Sequence, residues 1–112
     1  MVLPIRAGTA NTLNLGPALN IGTGVAMGSL TLAPSAIFLS KNGGIFAAKA
    51  DANTAYHDRS GWYKVPMDTA DTGTGGRLIV MASPTSCLEL WQEYEVMPAL
   101  YYDALYAGSS SL

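Results

Sequence analysis

The longest regular pattern in the chain runs from Leu88 to Val96. Leu88, Leu90, Tyr94 and Val96 share one parity, and Glu89, Trp91, Glu93 and Glu95 share the other. Period-two alternation predicts a strand with the first set in a core and the second facing solvent or a partner. Gln92 sits on the inward parity and predicts a bulge or an open end of the sheet. Arg77–Ala82 reads as a strong strand ended by Pro84, and Trp62–Val65 as another, stopped by Pro66. Ala36–Ser40 is followed by Asn42-Gly43, the dipeptide that favours positive φ at both central residues of a type I′ hairpin turn. Ile45–Ala48 is then the return strand. Ser29–Leu32 and Thr12–Leu15 alternate as short strands. Residues 50–60 read as a polar connection ending in Ser60-Gly61, and 68–76 as a loop rich in Asp, Thr and Gly. Ala99–Tyr106 fits either a short helix or a last strand.

Seven or eight short strands between turn signals predict an all-β fold, an antiparallel β-sandwich or small barrel. The expected organisation is an extended N-terminal arm or edge strand over residues 1–24, a sandwich domain over 25–108 and a tail over 109–112. An arm of this kind grips a neighbouring subunit, which makes Leu13 and Leu15 candidate interface residues.

Composition changes the picture in one respect. The chain has 112 residues, enough for one domain with a modest core, but only 12% are charged. Its surface must therefore be built largely of Gly, Ser, Thr, Asn and Ala, a surface suited to lying against neighbours. The net charge is −2 and the six Lys and Arg are scattered, so no basic stripe suits nucleic acid. No apolar run approaches the roughly 20 residues of a membrane span. The start carries no basic region or long apolar stretch, so no secretory signal is read there, and the lone cysteine fits synthesis in a reducing cytoplasm. The single Cys87 excludes an internal disulfide and a multi-cysteine metal cage.

Candidate chemistry is sparse. His57 is the one histidine, and no sequence neighbour makes it the base of a nucleophile. Cys87 has no nearby cation to activate it. Asp58, Asp68 and Asp71 lack the spacing of a calcium loop, and 72–76 lacks the lysine and following helix of a phosphate loop. No catalytic, cofactor-binding or metal-ligating residues are assigned. The aromatic residues Trp62, Trp91, Tyr101, Tyr102 and Tyr106 carry more contact potential. Trp91, on the outward parity, is the main candidate anchor, with Tyr101 and Tyr102 as further interface candidates. Trp62 and Tyr63 have opposite parity, so one of them fills the core.

In combination, several segments resemble a family of short structural proteins encoded by tailed phages and prophages. They are Arg6–Thr9, Phe38–Gly44, His57–Pro66, Asp68–Thr72, Gly76–Leu78, Leu90–Pro98 and Tyr102–Leu105. The resemblance covers nearly the whole chain, with Cys87 and Glu89 where plainer apolar residues are expected. It implies an immunoglobulin-like or jelly-roll-like sandwich in the virion, without catalysis. The expected role is a capsid decoration (cement) protein bound to the major capsid protein, as a homo-dimer or trimer. A tail, baseplate or fibre module is the alternative, and a carbohydrate-binding domain the third reading.

Overall fold

The computed structural model describes residues 3–107; the 109–112 tail lies outside them. Among these residues eight strands form two sheets: β1 (Leu3–Arg6), β2 (Asn11–Leu15), β3 (Phe38–Lys41), β4 (Ala47–Ala48), β5 (Tyr56–Arg59), β6 (Trp62–Met67), β7 (Gly76–Ala82) and β8 (Leu90–Met97). The larger sheet has the order β1-β8-β7-β3-β4 and the smaller β2-β6-β5. This is compatible with a small β-sandwich. The expected all-antiparallel pairing fails at one place, because β1 runs parallel to β8.

Alternation decides what each strand gives the core. Leu13 and Leu15 of β2 and Tyr63, Val65 and Met67 of β6 point inward from the smaller sheet. Leu78, Val80 and Ala82 of β7 and Leu90, Tyr94 and Val96 of β8 point inward from the larger. This corrects the reading of Leu13 and Leu15 as interface residues. β2 pairs with β6 from Asn11↔Met67 to Leu15↔Tyr63, and that register turns both leucines into the protein's own core. Within 1–24, the residues of β1 and β2 are edge strands of the two sheets.

Other expectations fail for local reasons. Pro66 does not stop β6. Its carbonyl accepts from the Lys49 ammonium at 2.8 Å, so this residue's ladder side faces away from β2 and its missing N–H breaks no bond there. Ser29–Leu32 is no strand and makes one bridge, Leu32 to Ala55. Leu88 lies before β8 and is exposed. Residues 56–59, read as connection, are β5. The chain turns into β6 at Ser60 and Gly61, both with positive φ, as a type I′ turn requires. Ala99–Tyr102 is one helical turn, α1, continued by a π-helical turn at Asp103–Ala107.

The Asn42-Gly43 turn forms as expected, with φ of 50° and 81°. Its return strand is shorter than expected, because the register slips. Gly44 N–H bonds Lys41 O at 2.9 Å, yet the ladder beyond pairs Leu39↔Ala47 and Phe38↔Ala48. One extra residue is therefore accommodated on the return side, and Ile45 is left 95% exposed.

Two buried tyrosines tie the layers together. The Tyr94 hydroxyl of the larger sheet donates to Asn14 O at 2.6 Å and accepts from Asn14 N–H at 3.1 Å. Tyr63 does the same for the connection between β2 and β3, donating to Met27 O at 2.6 Å and accepting from Leu30 N–H at 3.1 Å. Gln92 explains its place on the inward parity. Its amide donates to Gly16 O at 3.0 Å, and the β7–β8 register runs through it without a bulge.

Candidate functional site

The register that fixes the core also fixes the opposite face of the larger sheet. Trp91 of β8 pairs with Met81 of β7, Met81 with Phe38 of β3, and Phe38 with Ala48 of β4. These four side chains share the outward parity and form an apolar row across four strands, about 14 Å wide at a strand spacing of about 4.8 Å. Trp91 is 61% exposed at one end, Met81 and Phe38 are half-buried, and Ala48 is exposed. Ile79 lies in the next row, opposite Glu93. The third row is charged: Arg77 pairs with Glu95, and its guanidinium reaches diagonally to the Glu93 carboxylate at 2.9 Å. The face is thus apolar at one end and ionic at the other.

Tyr101 and Tyr102 are not part of this row. They follow the far end of β8, and Trp91 stands six residues before Met97, about 20 Å away at strand rise. Tyr101 is exposed. Tyr102 is half-buried, with its ring 5.1 Å from Tyr106. Arg6 fastens this end of the chain, since its guanidinium bonds both carboxylate oxygens of Asp103 at 2.9 and 3.1 Å. The hydrogen bond from Arg6 holds the Asp103 carboxyl below its ordinary pKa against a smaller opposing effect of burial, and raises that of Arg6.

Two polar side chains of the loop after β6 are internal fasteners. Asp71, fully buried, accepts backbone N–H bonds from Ala50 at 2.7 Å, Asp51 at 3.1 Å and Asp68 at 3.2 Å. Thr72 donates to Thr9 O at 2.8 Å and accepts from Thr9 N–H at 3.1 Å. The 68–76 loop, read from its Asp, Thr and Gly content, therefore turns these two side chains inward. Beside it the Lys49 ammonium, on a side chain with 0% exposure, donates to Asp51 Oδ1 at 3.1 Å and to Asn53 O and Pro66 O at 2.8 Å each. Burial pushes the Asp51 carboxyl up, but the Asn53 N–H and the Lys49 ammonium outweigh it, and the pKa lies below the ordinary value.

His57 accepts from Gly61 N–H at 3.2 Å and lies edge-on to Tyr63, a structural arrangement. The buried Cys87 donates to Leu88 O at 3.1 Å. Among the described residues no group of three or more His, Cys, Asp or Glu is placed to hold a metal ion, and no helix is long and apolar enough to cross a membrane.

Sequence reasoning found Trp91 from its parity alone. It missed Met81 and Phe38, because their place beside Trp91 depends on register across three strands, which no single segment encodes. Compared with protein-family models, curated proteins and solved structures, the chain matches none.

Proposed function

We propose that this protein is a non-enzymatic structural subunit of a tailed-phage particle, a decoration protein that binds the major capsid shell through the outer face of its larger sheet. The observation that carries the docking role is the open apolar row Trp91–Met81–Phe38–Ala48. A large exposed aromatic flanked by half-buried apolar side chains on a rigid sheet is the anatomy of an interface anchor. The ionic row at Arg77, Glu93 and Glu95 sets orientation on the partner. The low charge of the whole chain fits a subunit held among neighbours. The phage setting rests on the sequence resemblance, which also supports a virion location and the absence of catalysis.

The strand order favours an immunoglobulin-like sandwich over a jelly roll. Taken in chain order, the strands after β1 fall into sheets of the order G-F-C-C′ and B-E-D, the arrangement of variable-type immunoglobulin domains, with β1 added beside the last strand. It dispenses with that fold's disulfide, since Cys87 has no partner. The free edges β2, β5, β1 and β4 suit closure as a dimer or trimer.

The test is quantitative mass spectrometry of particles purified from a lysate of the encoding strain. A copy number in the hundreds, set by shell symmetry, is expected. A few dozen copies or fewer reassigns the protein to the tail or baseplate, and absence from particles removes the virion reading. Loss of rebinding by Trp91→Asp to stripped particles locates the docking face.

A further inference from the structure

The outer face of the smaller sheet carries a second, chemically different feature. Asn14 of β2, Lys64 and Trp62 of β6 and Asp58 of β5 line a shallow cavity of about 320 Å³. Three local devices shape it. The β5–β6 register shifts between His57 and Arg59, leaving Asp58 as the bulged residue, and bulges re-aim side chains. The indole of Trp62 is braced from one side by the chain at Gly16, where a Cβ would stand 3.1 Å from Trp62 Cδ2, so that position needs glycine. The Lys64 ammonium donates to Asn14 Oδ1 at 2.7 Å, which fixes the amide and leaves its NH₂ donors free among the described residues. The Asp58 carboxylate is 3.8 Å from the same ammonium, beyond hydrogen-bond range, so among the described residues its lone pairs are free to accept.

The cavity therefore offers an aromatic platform, 37% exposed, beside a free amide donor, a free carboxylate acceptor and an ammonium. The geometry points to a binding site for a neutral pyranose sugar. The C–H face of a pyranose ring is weakly positive and complements the negative face of an indole. Adjacent hydroxyls each donate and accept, and they meet Asp58, Asn14 and Lys64 together. Asp58 disfavours anions and Lys64 disfavours cations, including quaternary ammonium groups that otherwise suit aromatic sites. A single lysine gives no basic track for a nucleic-acid strand. The site is on the opposite face from the proposed docking row, so either reading stands or falls without the other.

The experiment is isothermal calorimetry of the full chain with methyl α-D-glucopyranoside, methyl β-D-galactopyranoside, N-acetyl-D-glucosamine and their short linear oligomers. Glucuronate and choline are run alongside. Saturable binding of at least one neutral sugar is expected, with a dissociation constant of about a millimolar. Asp58→Ala, at an exposed position, and Trp62→Ala each weaken it by at least about tenfold, and Trp91→Ala leaves it unchanged. Trp62→Phe, which keeps the brace at Gly16, retains partial binding and serves if Trp62→Ala does not fold. The proposal is overturned if no neutral sugar binds, if only glucuronate or choline binds, or if Asp58→Ala binds as well as the parent.

Discussion

The two outer faces of the sandwich share one core and differ in everything else. On the larger sheet, side chains directly opposite one another are apolar across four strands, and the charges are gathered at the far end. On the smaller sheet the equivalent row is Asn14, Lys64 and Tyr56, with polar groups aimed by a bulge and an aromatic ring braced by glycine. A flat apolar row suits a large, rigid partner that excludes water over a wide area. A small polar cavity beside one aromatic ring suits a small hydroxylated ligand. The lesson is that burial on one side of a sheet leaves the other side free, and chemistry can be distributed over the two free sides independently.

The comparison is sharpened by substitutions whose effects differ in size. The largest belong to the shared core: Leu15→Ala is expected to cost about 2–5 kcal/mol in urea unfolding, whichever face is intact. If Leu15→Ala is instead silent for stability and abolishes partner binding, β2 is an interface strand and the two-face description fails. Next, Asp71→Ala strips the acceptor from three backbone N–H groups and costs about 1–3 kcal/mol, with no gain or loss of any metal-dependent stability.

Tyr94→Phe removes the hydroxyl that joins the sheets and costs on the order of 1–3 kcal/mol. It also changes the alkaline pH response. Burial holds the Tyr94 phenol above its ordinary pKa. Its contribution is therefore complete below the unfolded value of about 10 and declines as pH rises through the folded one. Thermal melts from neutral to alkaline pH should show the parent losing stability more steeply than Tyr94→Phe.

Trp91→Ala should change the stability of the isolated protein by less than about 0.5 kcal/mol while weakening partner binding by on the order of 2 kcal/mol. A large loss of stability would make Trp91 a fold residue and dissolve the contrast. Smallest is the acid response at the C-terminal turn. Asp103 is held below the ordinary carboxylate value by Arg6, so its contribution is present above that value and lost as pH falls through the folded one. Asp103→Asn should flatten that limb slightly, and amide exchange at Ala99–Ala107 should rise with it.

Local sequence rules carried the reading where structure was local. The alternation read over Leu88–Val96 and the Asn42-Gly43 turn are visible in a few residues each; the turn forms as expected, and the alternation holds from Leu90 on but not at Leu88. What failed depended on pairing between distant segments. Leu13 and Leu15 alternate equally well in a free arm and in an edge strand, and only the partner β6 decides which way they face. The exposed row is legible at Trp91 but not at Phe38 or Met81, since three registers must be known to place them together. The Asp58 bulge and the slip at Ile45 are single-residue insertions with no residue type that announces them.

Lys49 has a practical consequence. All three of its N–H donors are occupied and its side chain is sealed, whereas Lys41 and Lys64 lie at the surface. An acylating reagent therefore marks Lys41 and Lys64 in the folded protein but reaches Lys49 only when the molecule opens. The acylated fraction at that one lysine, followed by mass spectrometry, becomes a clock for unfolding that runs at any protein concentration.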